Sequence, residues 1–373
     1  MLADRPRVDA TVEAMERCIR PGMTVLDLGA GTGFFAFEAL RLGAGRVYAI
    51  DPNPAIFDAR ANALANGLAD RLTCFPDSSF SVTLPEPVDV LVSDMRGTLP
   101  LSGNHIPALI DARTRFLAPG AVMMPWRDTL LAAVVHAPLQ HRDLLDPWGG
   151  RETPFATDAI TRSLANTLDS VSLTPESLLT PPEPWVTLDY HAVTTPDVAG
   201  RIRFVMPRAG TGHGFALWFQ TELVPGVGFS TGPSSPGSAH GTAFFPWPQA
   251  VTLAEGDVVE IALRADLIGG DYTWRWDARI ADGSDASAVK AQFRQSTFFA
   301  GGMSLDVLRR QAPDHIPAVT PELAADRFIL DRFGSGDSLA RIAEEVGARH
   351  PERFGPGRDA LAHVVSLSMR YRT

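Results

Sequence analysis

Cysteine is scarce in this sequence, because its 373 residues include only Cys18 and Cys74. Two isolated cysteines provide neither a disulfide framework nor the ligand spacing of a metal site, and their scarcity fits a reducing compartment. The chain also lacks an apolar run long enough to span a bilayer, and its N-terminus lacks the apolar core of a signal peptide. The sequence therefore predicts a cytoplasmic protein with no metal centre and no membrane partner.

Positive charge is in deficit, because 33 Lys and Arg residues stand against 43 Asp and Glu residues, for a net charge of −10. This balance argues against binding nucleic acid through broad electrostatic attraction. It would suit a cationic or neutral substrate, although solubility alone is the commoner reason for such a charge. The apolar content of 45% is that of a soluble globular protein, and a chain of 373 residues predicts at least two domains.

A glycine-rich turn follows the first strongly apolar segment. An apolar run that ends at Asp27 predicts a buried strand, and a tight turn towards a helix is permitted by Gly29, Gly31 and Gly33. A second apolar run ends at Asp51, where an acid can bind a ribose diol. Position 34 is Phe instead of the glycine that packs over a pyrophosphate in dinucleotide sites. The pattern therefore favours S-adenosylmethionine (SAM), which has no pyrophosphate.

Strand and helix patterns alternate over the first third of the chain. This alternation predicts a mostly parallel α/β sheet that is covered by helices on both faces. After Pro125 the pattern changes to short strands separated by glycine- and proline-rich turns, which predicts an antiparallel sandwich or barrel. Helical patterns return from about Pro321, and Asp337 or Ser338 is the expected N-cap of one of these helices.

Five segments between residue 1 and about residue 280 resemble motifs of the protein arginine methyltransferase family. Met1 to Arg7 resembles its M-L-x-D-x-x-R segment, and Val88 to Gly97 resembles its acidic loop, V-D-x-x-x-S-E-x-M-G. Three further segments resemble its F-S-T-x-P, T-H-W and V-x-x-G-D elements: Phe229–Pro233, Ala239–Gly241 and Leu253–Asp257.

This resemblance implies a fold and an assembly. We expect an α/β, Rossmann-like SAM-binding domain over residues 1–125 and an antiparallel β-barrel substrate domain over residues 126–300. A small helical segment would follow over residues 301–373. An arm inserted at about residues 137–184 would lie where the family dimerises, so a homodimer through this arm is expected.

The resemblance and the strand order also suggest cofactor roles for individual residues. Arg7 would hold the SAM carboxylate, and Asp51 would bind the ribose. Asp27 and the three glycines belong to the same loop motif. Asp77 and Ser78 follow the third strand, where the adenine ring usually lies.

The acceptor site departs from the family pattern. The family holds a guanidinium between two acids nine positions apart, but here Asp94 replaces the first glutamate and Gly103 falls at the second place. A single, shorter carboxylate is a poorer partner for a planar cation than two convergent ones. Arg96 replaces an apolar methionine, and a cation there would repel a guanidinium but orient an anionic acceptor. Of the T-H-W element only His240 is retained.

These departures lead to a hypothesis of O-methylation of a carboxylate, such as the C-terminus of a biosynthetic peptide or another natural product. Arg96 and His240 would position the acceptor beside the sulfonium, and Asp94 would shape the pocket. One alternative is N-methylation of an arginine-like guanidinium, with the second acid supplied by Glu222 or Asp266. Another is a non-catalytic scaffold that binds SAM or a peptide.

The C-terminal segment gives a second indication of the substrate. Residues from Asp331 to Glu345 are similar to small winged-helix modules that bind the leader peptides of ribosomally made peptides. A helical cap on the barrel explains the same pattern equally well. The first interpretation predicts a peptide natural product as the methyl acceptor.

Overall fold

Five short strands form a parallel sheet in the order β3-β2-β1-β4-β5. Most of their residues are buried because helices flank the sheet. The strands are β1 (Thr24–Leu28), β2 (Arg46–Ile50), β3 (Leu72–Phe75), β4 (Val88–Ser93) and β5 (Leu117–Met124). The helices are α1 (Arg5–Cys18), α2 (Phe34–Arg41), α3 (Ile56–Ala65) and α4 (His105–Arg115). This arrangement confirms the predicted Rossmann-like domain.

The computed structural model describes residues 4–146, 148, 150–151, 155–235, 241–285, 287–301, 306, 309–310, 312–318, 320–354 and 360–371. The chain forms two compact units, residues 1–302 and residues 303–373. Within the first unit the parallel sheet ends at Met124, and antiparallel strands begin at Arg127.

Two antiparallel sheets follow. One has the order β7-β12-β10-β6-β8, with β11 paired to β10, and the other has the order β15-β14-β13-β9. Their strands are β6 (Arg127–Val135), β7 (Asp169–Val171), β8 (Glu183–Asp189), β9 (Val198–Val205), β10 (Gly210–Val224), β11 (Val227–Ser230), β12 (Thr242–Leu253), β13 (Val258–Ile268), β14 (Asp271–Ala281) and β15 (Val289–Ser296). The core between them is aromatic: the Phe215 and Phe245 rings stack at 4.6 Å, and Trp276 meets Phe245 edge-on at 5.2 Å.

The inserted segment packs on its own barrel. It contains α5 (Pro138–Leu145), α6 (Asp158–Ala165) and β7, which extends the sheet beside β12. The Gln295 side chain of β15 donates a hydrogen bond to the Pro246 carbonyl at 2.8 Å and another to the Ala165 carbonyl. Dimerisation through this segment stays a prediction.

Two strands differ from the sequence-based expectation. β12 contains Pro246 and Pro248, which hide its strand pattern, and its register with β10 shifts between Gly212 and Gly214. β5 begins at Leu117 and continues through Pro119-Gly120, a pair of residues that favours a turn. Because β5 lies at the sheet edge, Pro119 can be accommodated although it has no N–H to donate.

The second unit is helical. Its described residues include α7 (Pro321–Arg332), α8 (Leu339–Arg349) and α9 (Ala360–Arg370), around a small core that includes Ile329, Val346 and Val364. Ser338 is the N-cap of α8, because its hydroxyl accepts a hydrogen bond from the Arg341 N–H at 3.3 Å. Leader-peptide binding by this unit stays a prediction. Among the described residues, no helix has both the length and the apolar character needed to cross a bilayer.

Candidate active site

A cavity of about 410 Å³ lies at the carboxyl ends of β1 and β4, where the strand order reverses. Open α/β sheets bind their ligands at this point, and the volume is within the usual range for a small-molecule site. Its lining includes Gly29, Asp51, Ser78, Asp94, Gly103 and His105. The cavity therefore brings together the glycine loop, the acid after β2 and the acid after β4.

The glycine loop takes a backbone shape that side chains resist. Gly29, Gly31 and Gly33 have φ angles of 82°, 52° and 81°. A Cβ atom on Gly33 would lie 2.8 Å from the Ala59 Cβ, so the loop also approaches α3 closely. The loop thus exposes backbone to the cavity as a nucleoside site requires.

Asp51 is fixed at the end of β2 by two backbone hydrogen bonds. Its Oδ2 accepts from the Gly31 N–H at 2.7 Å, and its Oδ1 accepts from the Asn53 N–H at 2.7 Å. Each carboxylate oxygen can accept a further bond. Asp51 therefore fits the ribose-binding role that the sequence predicts.

Asp27 lies behind the loop instead of on the cavity wall. It is buried, and its Oδ2 accepts a hydrogen bond from the Ala36 N–H at 2.9 Å. Burial raises the pKa of Asp27 to about 7, although the Ala36 bond acts to lower it. Its observed contacts hold the loop to α2. Asp77 is exposed and does not line the cavity, whereas Ser78 does.

Arg7 extends from α1 to the acid after β4. It is only 2% exposed, and its Nη1 donates to Asp94 Oδ2. A guanidinium binds carboxylates through charge-assisted hydrogen bonds, so Arg7 has the chemistry that the carboxylate of SAM requires. This geometry is compatible with the predicted role of Arg7 in holding the SAM carboxylate.

Arg96 lies in an enclosed ion-pair network between the parallel sheet and the barrel. Its Nε donates to Asp94 Oδ1 at 3.1 Å, and its Nη1 donates to Asp128 Oδ1 at 3.0 Å and to Thr221 Oγ1 at 2.8 Å. Burial acts to lower the pKa of Arg96, but Asp128 and Asp94 together raise it above its ordinary value. The side chain is 0% exposed, so the guanidinium is held by the protein's own acids.

A tyrosine and a histidine extend this network. The Tyr190 hydroxyl donates to Asp128 Oδ2 at 2.6 Å, and His105 Nε2 lies 3.3 Å from the same hydroxyl. Burial lowers the pKa of His105 to about 3, with the Arg96 charge as a further cause, so the ring is neutral. Because the hydroxyl hydrogen points to Asp128, we assign the imidazole hydrogen to Nε2.

The sequence-predicted acceptor residues are placed as follows. Asp94 lines the cavity, Arg96 does not, and His240 lies outside the described residues. Glu222 pairs with Arg127 at 2.6 Å and Asp266 pairs with Arg264 at 2.6 Å, and neither acid lines the cavity. Their catalytic roles stay predictions.

Sequence reasoning missed three members of the network: Asp128, Tyr190 and Thr221. The sequence contains one signal for Asp128, which is a lone acid at the start of the apolar strand β6. A buried charge requires a partner, so such an acid indicates that a partner exists. That signal does not identify the partner.

Comparison with known proteins supports a methyltransferase assignment. Residues 6–122 match the family model "Ribosomal protein L11 methyltransferase (PrmA)". The chain is 31% identical over 253 residues to protein arginine N-methyltransferase 6 of Xenopus laevis. This match spans 62% of this chain and 72% of that protein. It is 29% identical over 287 residues to the arginine N(omega)-methyltransferase of Streptomyces achromogenes, spanning 74% of this chain and 76% of that protein.

Coverage is lower for a plant relative. The probable protein arginine N-methyltransferase 6 of Arabidopsis thaliana is 30% identical over 234 residues, and the match spans 60% of this chain but only 53% of that protein. Among solved structures, the PRMT1 enzyme-prozyme complex of Trypanosoma brucei with AdoHcy has the same fold, with a TM-score of 0.72 at 18% identity. That match covers 79% of this chain and 95% of that one.

The cavity residues fit SAM, because a glycine loop and an acid that suits a ribose diol meet where an α/β sheet binds a nucleoside. The family model, which describes a methyltransferase, points to the same cofactor. The protein is a SAM-dependent methyltransferase, and the chain belongs to the protein arginine N-methyltransferase family.

Proposed function

We propose that this protein transfers the methyl group of SAM to a nitrogen of an arginine guanidinium. The observation that carries the proposal is the position of Asp94, a carboxylate on the cavity wall at the end of β4. By the resemblance of the β4 segment, Asp94 would correspond to the first acid of the family's guanidinium clamp. The names of the relatives, which specify protein arginine or arginine as the substrate, support the same acceptor.

Methyl transfer from a sulfonium requires alignment and exclusion of water more than activation of the donor. When SAM is bound, it supplies the electrophilic methyl group. Asp94 would hold the acceptor guanidinium through charge-assisted hydrogen bonds and so direct one nitrogen at the methyl group. The nitrogen loses a proton during transfer, and Asp94 supplies a carboxylate that can accept it.

Arg7 would couple the two substrates. It already donates to Asp94, and the resemblance assigns it the carboxylate of SAM. A cofactor carboxylate at Arg7 would compete with Asp94 for its donors. Cofactor binding would therefore leave Asp94 freer to accept hydrogen bonds from the guanidinium, which favours SAM binding before the acceptor.

The geometry gives less support to O-methylation of a carboxylate. That hypothesis depends on a cation available to the acceptor, but Arg96 is enclosed and bonded to Asp94 and Asp128. Its replacement of a methionine is explained by this ion-pair network without any contact to substrate. The glycine at position 103 leaves Asp94 without the family's second acid, so we expect weak acceptor binding.

The proposal is tested with labelled SAM and three acceptors. These are free arginine, a peptide with one arginine and an amidated C-terminus, and the same peptide with citrulline, which matches arginine in shape but has no charge. We expect mass spectrometry to place the methyl group on the guanidinium of the first two acceptors and to detect none on citrulline.

Two results would overturn the proposal. An alkali-labile methyl group on an arginine-free peptide with a free C-terminus would identify a carboxylate methyltransferase. SAM binding by calorimetry without transfer to any acceptor would identify a binding scaffold. Asp94→Asn is the matched variant, and it should lose guanidinium methylation while it retains a folded cofactor site.

A further inference from the structure

The outward face of the sheet β15-β14-β13-β9 is rich in arginine. We call it the arginine face and define it by six residues: Arg201, Arg203, Arg264, Arg275, Arg279 and Arg294. Four acids share this surface: Glu260, Asp266, Asp271 and Asp277. The face is therefore basic on a chain whose net charge is −10. Such a local reversal of sign is unexplained by solubility.

The strand register places these side chains in rows across the sheet. In one row Glu260 lies between Arg203 of β9 and Arg279 of β14. In the next row Asp277 lies opposite Arg294 of β15. Since alternate residues of a strand point to the same side, all of them face away from the aromatic core.

The acids neutralise only part of this charge. Glu260 pairs with Arg279 at 3.6 Å, and Asp277 pairs with Arg275 at 3.2 Å. Asp266 pairs with Arg264 at 2.6 Å. The other three arginines of the face are exposed: Arg201, Arg203 and Arg294. They form no ion pair within the part of the chain that the structure describes.

The arginine face is also hollowed. One hollow of about 420 Å³ is lined by Arg201, Arg203 and Arg279, and a neighbouring hollow of about 390 Å³ is lined by Arg201, Arg264 and Arg275. Arg201 and Asp277 border both hollows. The two hollows therefore lie next to each other on the arginine face.

We propose that the arginine face binds an acidic peptide segment of the methyl acceptor. Arg201 and Arg203 lie two residues apart on β9, roughly 6.6 Å along the strand, which is also the spacing of alternate side chains in an extended peptide. Glutamates at alternate positions would therefore meet successive guanidinium groups, which bind carboxylates in a bidentate manner.

A peptide suits this face better than a nucleic acid. Glu260 and Asp277 lie among the arginines and would repel a continuous phosphate backbone, as would the net charge of the chain. A peptide can place carboxylates opposite the three unpaired arginines and neutral side chains opposite the two acids.

This inference rests on the proposed function only in taking the peptide to be the methyl acceptor. A second contact outside the catalytic cavity raises the effective concentration of the acceptor arginine. It would compensate for an acceptor site with one acid. Loss of the contact should raise KM and leave kcat unchanged.

The test begins with binding, which needs no methyl transfer. A fluorescein-labelled peptide with glutamate at three alternate positions is titrated with the full-length protein, and its glutamine counterpart is the control ligand. The test variant is Arg201→Gln, Arg203→Gln, Arg294→Gln. The matched variant is Arg142→Gln, Arg162→Gln, Arg327→Gln, which removes the same charge from exposed positions elsewhere.

We expect about a ten-fold rise in Kd for the test variant, because three exposed ion pairs are lost, and almost none for the matched variant. Equal losses in both variants would overturn the proposal, and so would equal binding of the glutamine peptide. Tighter binding of duplex DNA that displaces the peptide would identify a nucleic-acid surface and would also overturn it.

Kinetics with a linked acceptor separate this inference from the proposed function. A peptide that joins the glutamate segment to an acceptor arginine should show a KM about ten-fold higher with the test variant, at the same kcat. Free arginine should be methylated equally by the test variant and the matched variant. Guanidinium methylation with a KM insensitive to the glutamates would support the proposed function and overturn docking. Binding of the glutamate peptide without methylation would support the basic docking face and refute the proposed function.

Discussion

The Arg96 guanidinium and the Asp128 carboxylate lie 3.0 Å apart, and both side chains are 0% exposed. Arg96 follows the last residues of β4, whereas Asp128 belongs to the first strand of the barrel. Their pairing therefore joins the parallel sheet to the antiparallel sheets. A buried charge that keeps only part of its partners is costly, so this pair is sensitive to the loss of one member.

We predict that Asp128→Ala lowers the free energy of unfolding by about 3–5 kcal/mol, because Arg96 stays buried and Tyr190 loses its acceptor. Replacing both charges, as in Arg96→Met with Asp128→Leu, should cost far less. Urea unfolding followed by tryptophan fluorescence measures this, since all seven tryptophans lie in the first unit. A double variant as unstable as Asp128→Ala would contradict the argument.

An acid introduced at Gly103 should increase methylation of an arginine acceptor. It lines the cavity with a φ angle of 46°, and a Cβ atom there would meet nothing within 4 Å. Gly103→Glu restores the second acid of the family pattern, and Gly103→Gln is its uncharged match. Both should lose about 1–2 kcal/mol of stability from the left-handed backbone. We expect kcat/KM for an arginine acceptor to be about ten-fold higher for the glutamate variant. Equal values would argue against a guanidinium acceptor.

Asp51 should be needed for cofactor affinity. We predict that Asp51→Ala weakens SAM binding about ten- to one-hundred-fold, because a charged hydrogen-bond acceptor for the ribose is lost along with the Gly31 contact. Isothermal titration calorimetry measures the change. Asp58→Ala removes an exposed acid from α3 and serves as the control. Equal affinities for the two variants would contradict the ribose role.

The cofactor half of the site could be predicted because its signals are local. The strand β1, the glycine loop and Asp51 are encoded by apolar runs and small residues within about thirty positions, and the parallel sheet follows from their repetition. β3 ends at Phe75, just before Asp77 and Ser78, as the sequence predicts.

The acceptor half could not be predicted in the same way, because its contacts are distant in sequence. Arg96 bonds to residues 32 and 125 positions away. From sequence alone its charge indicated a substrate ligand, but the structure shows that Asp94 and Asp128 occupy its donors. A buried arginine and an exposed one have the same sequence signal until the partner strands are placed.

Three buried groups should make the stability of the first unit depend on pH between 4 and 6.5. Burial lowers the pKa of His213 to about 4, with His141 and His136 as further causes, and burial lowers the pKa of His105 to about 3. Both rings stay neutral in the folded state while they take up protons in the unfolded chain below pH 6.5. The contribution of these two histidines to the stability of the folded state is thus fully present above pH 6.5 and is lost on acidification. Asp27 acts in the opposite direction, because its pKa is raised to about 7 and its folded form binds the extra proton.

The sum of these effects is one additional proton bound by the unfolded state. We therefore expect the free energy of unfolding to fall by about 1.4 kcal/mol per pH unit as the pH drops from 6.5 to 4. His213→Gln should flatten this dependence, since His105 and Asp27 then offset each other. Asp27→Asn should steepen it to about twice the wild-type slope, because only the two histidines remain. Urea titrations at half-unit steps of pH decide the matter, and a wild-type slope retained in both variants would show that other groups control the acid response.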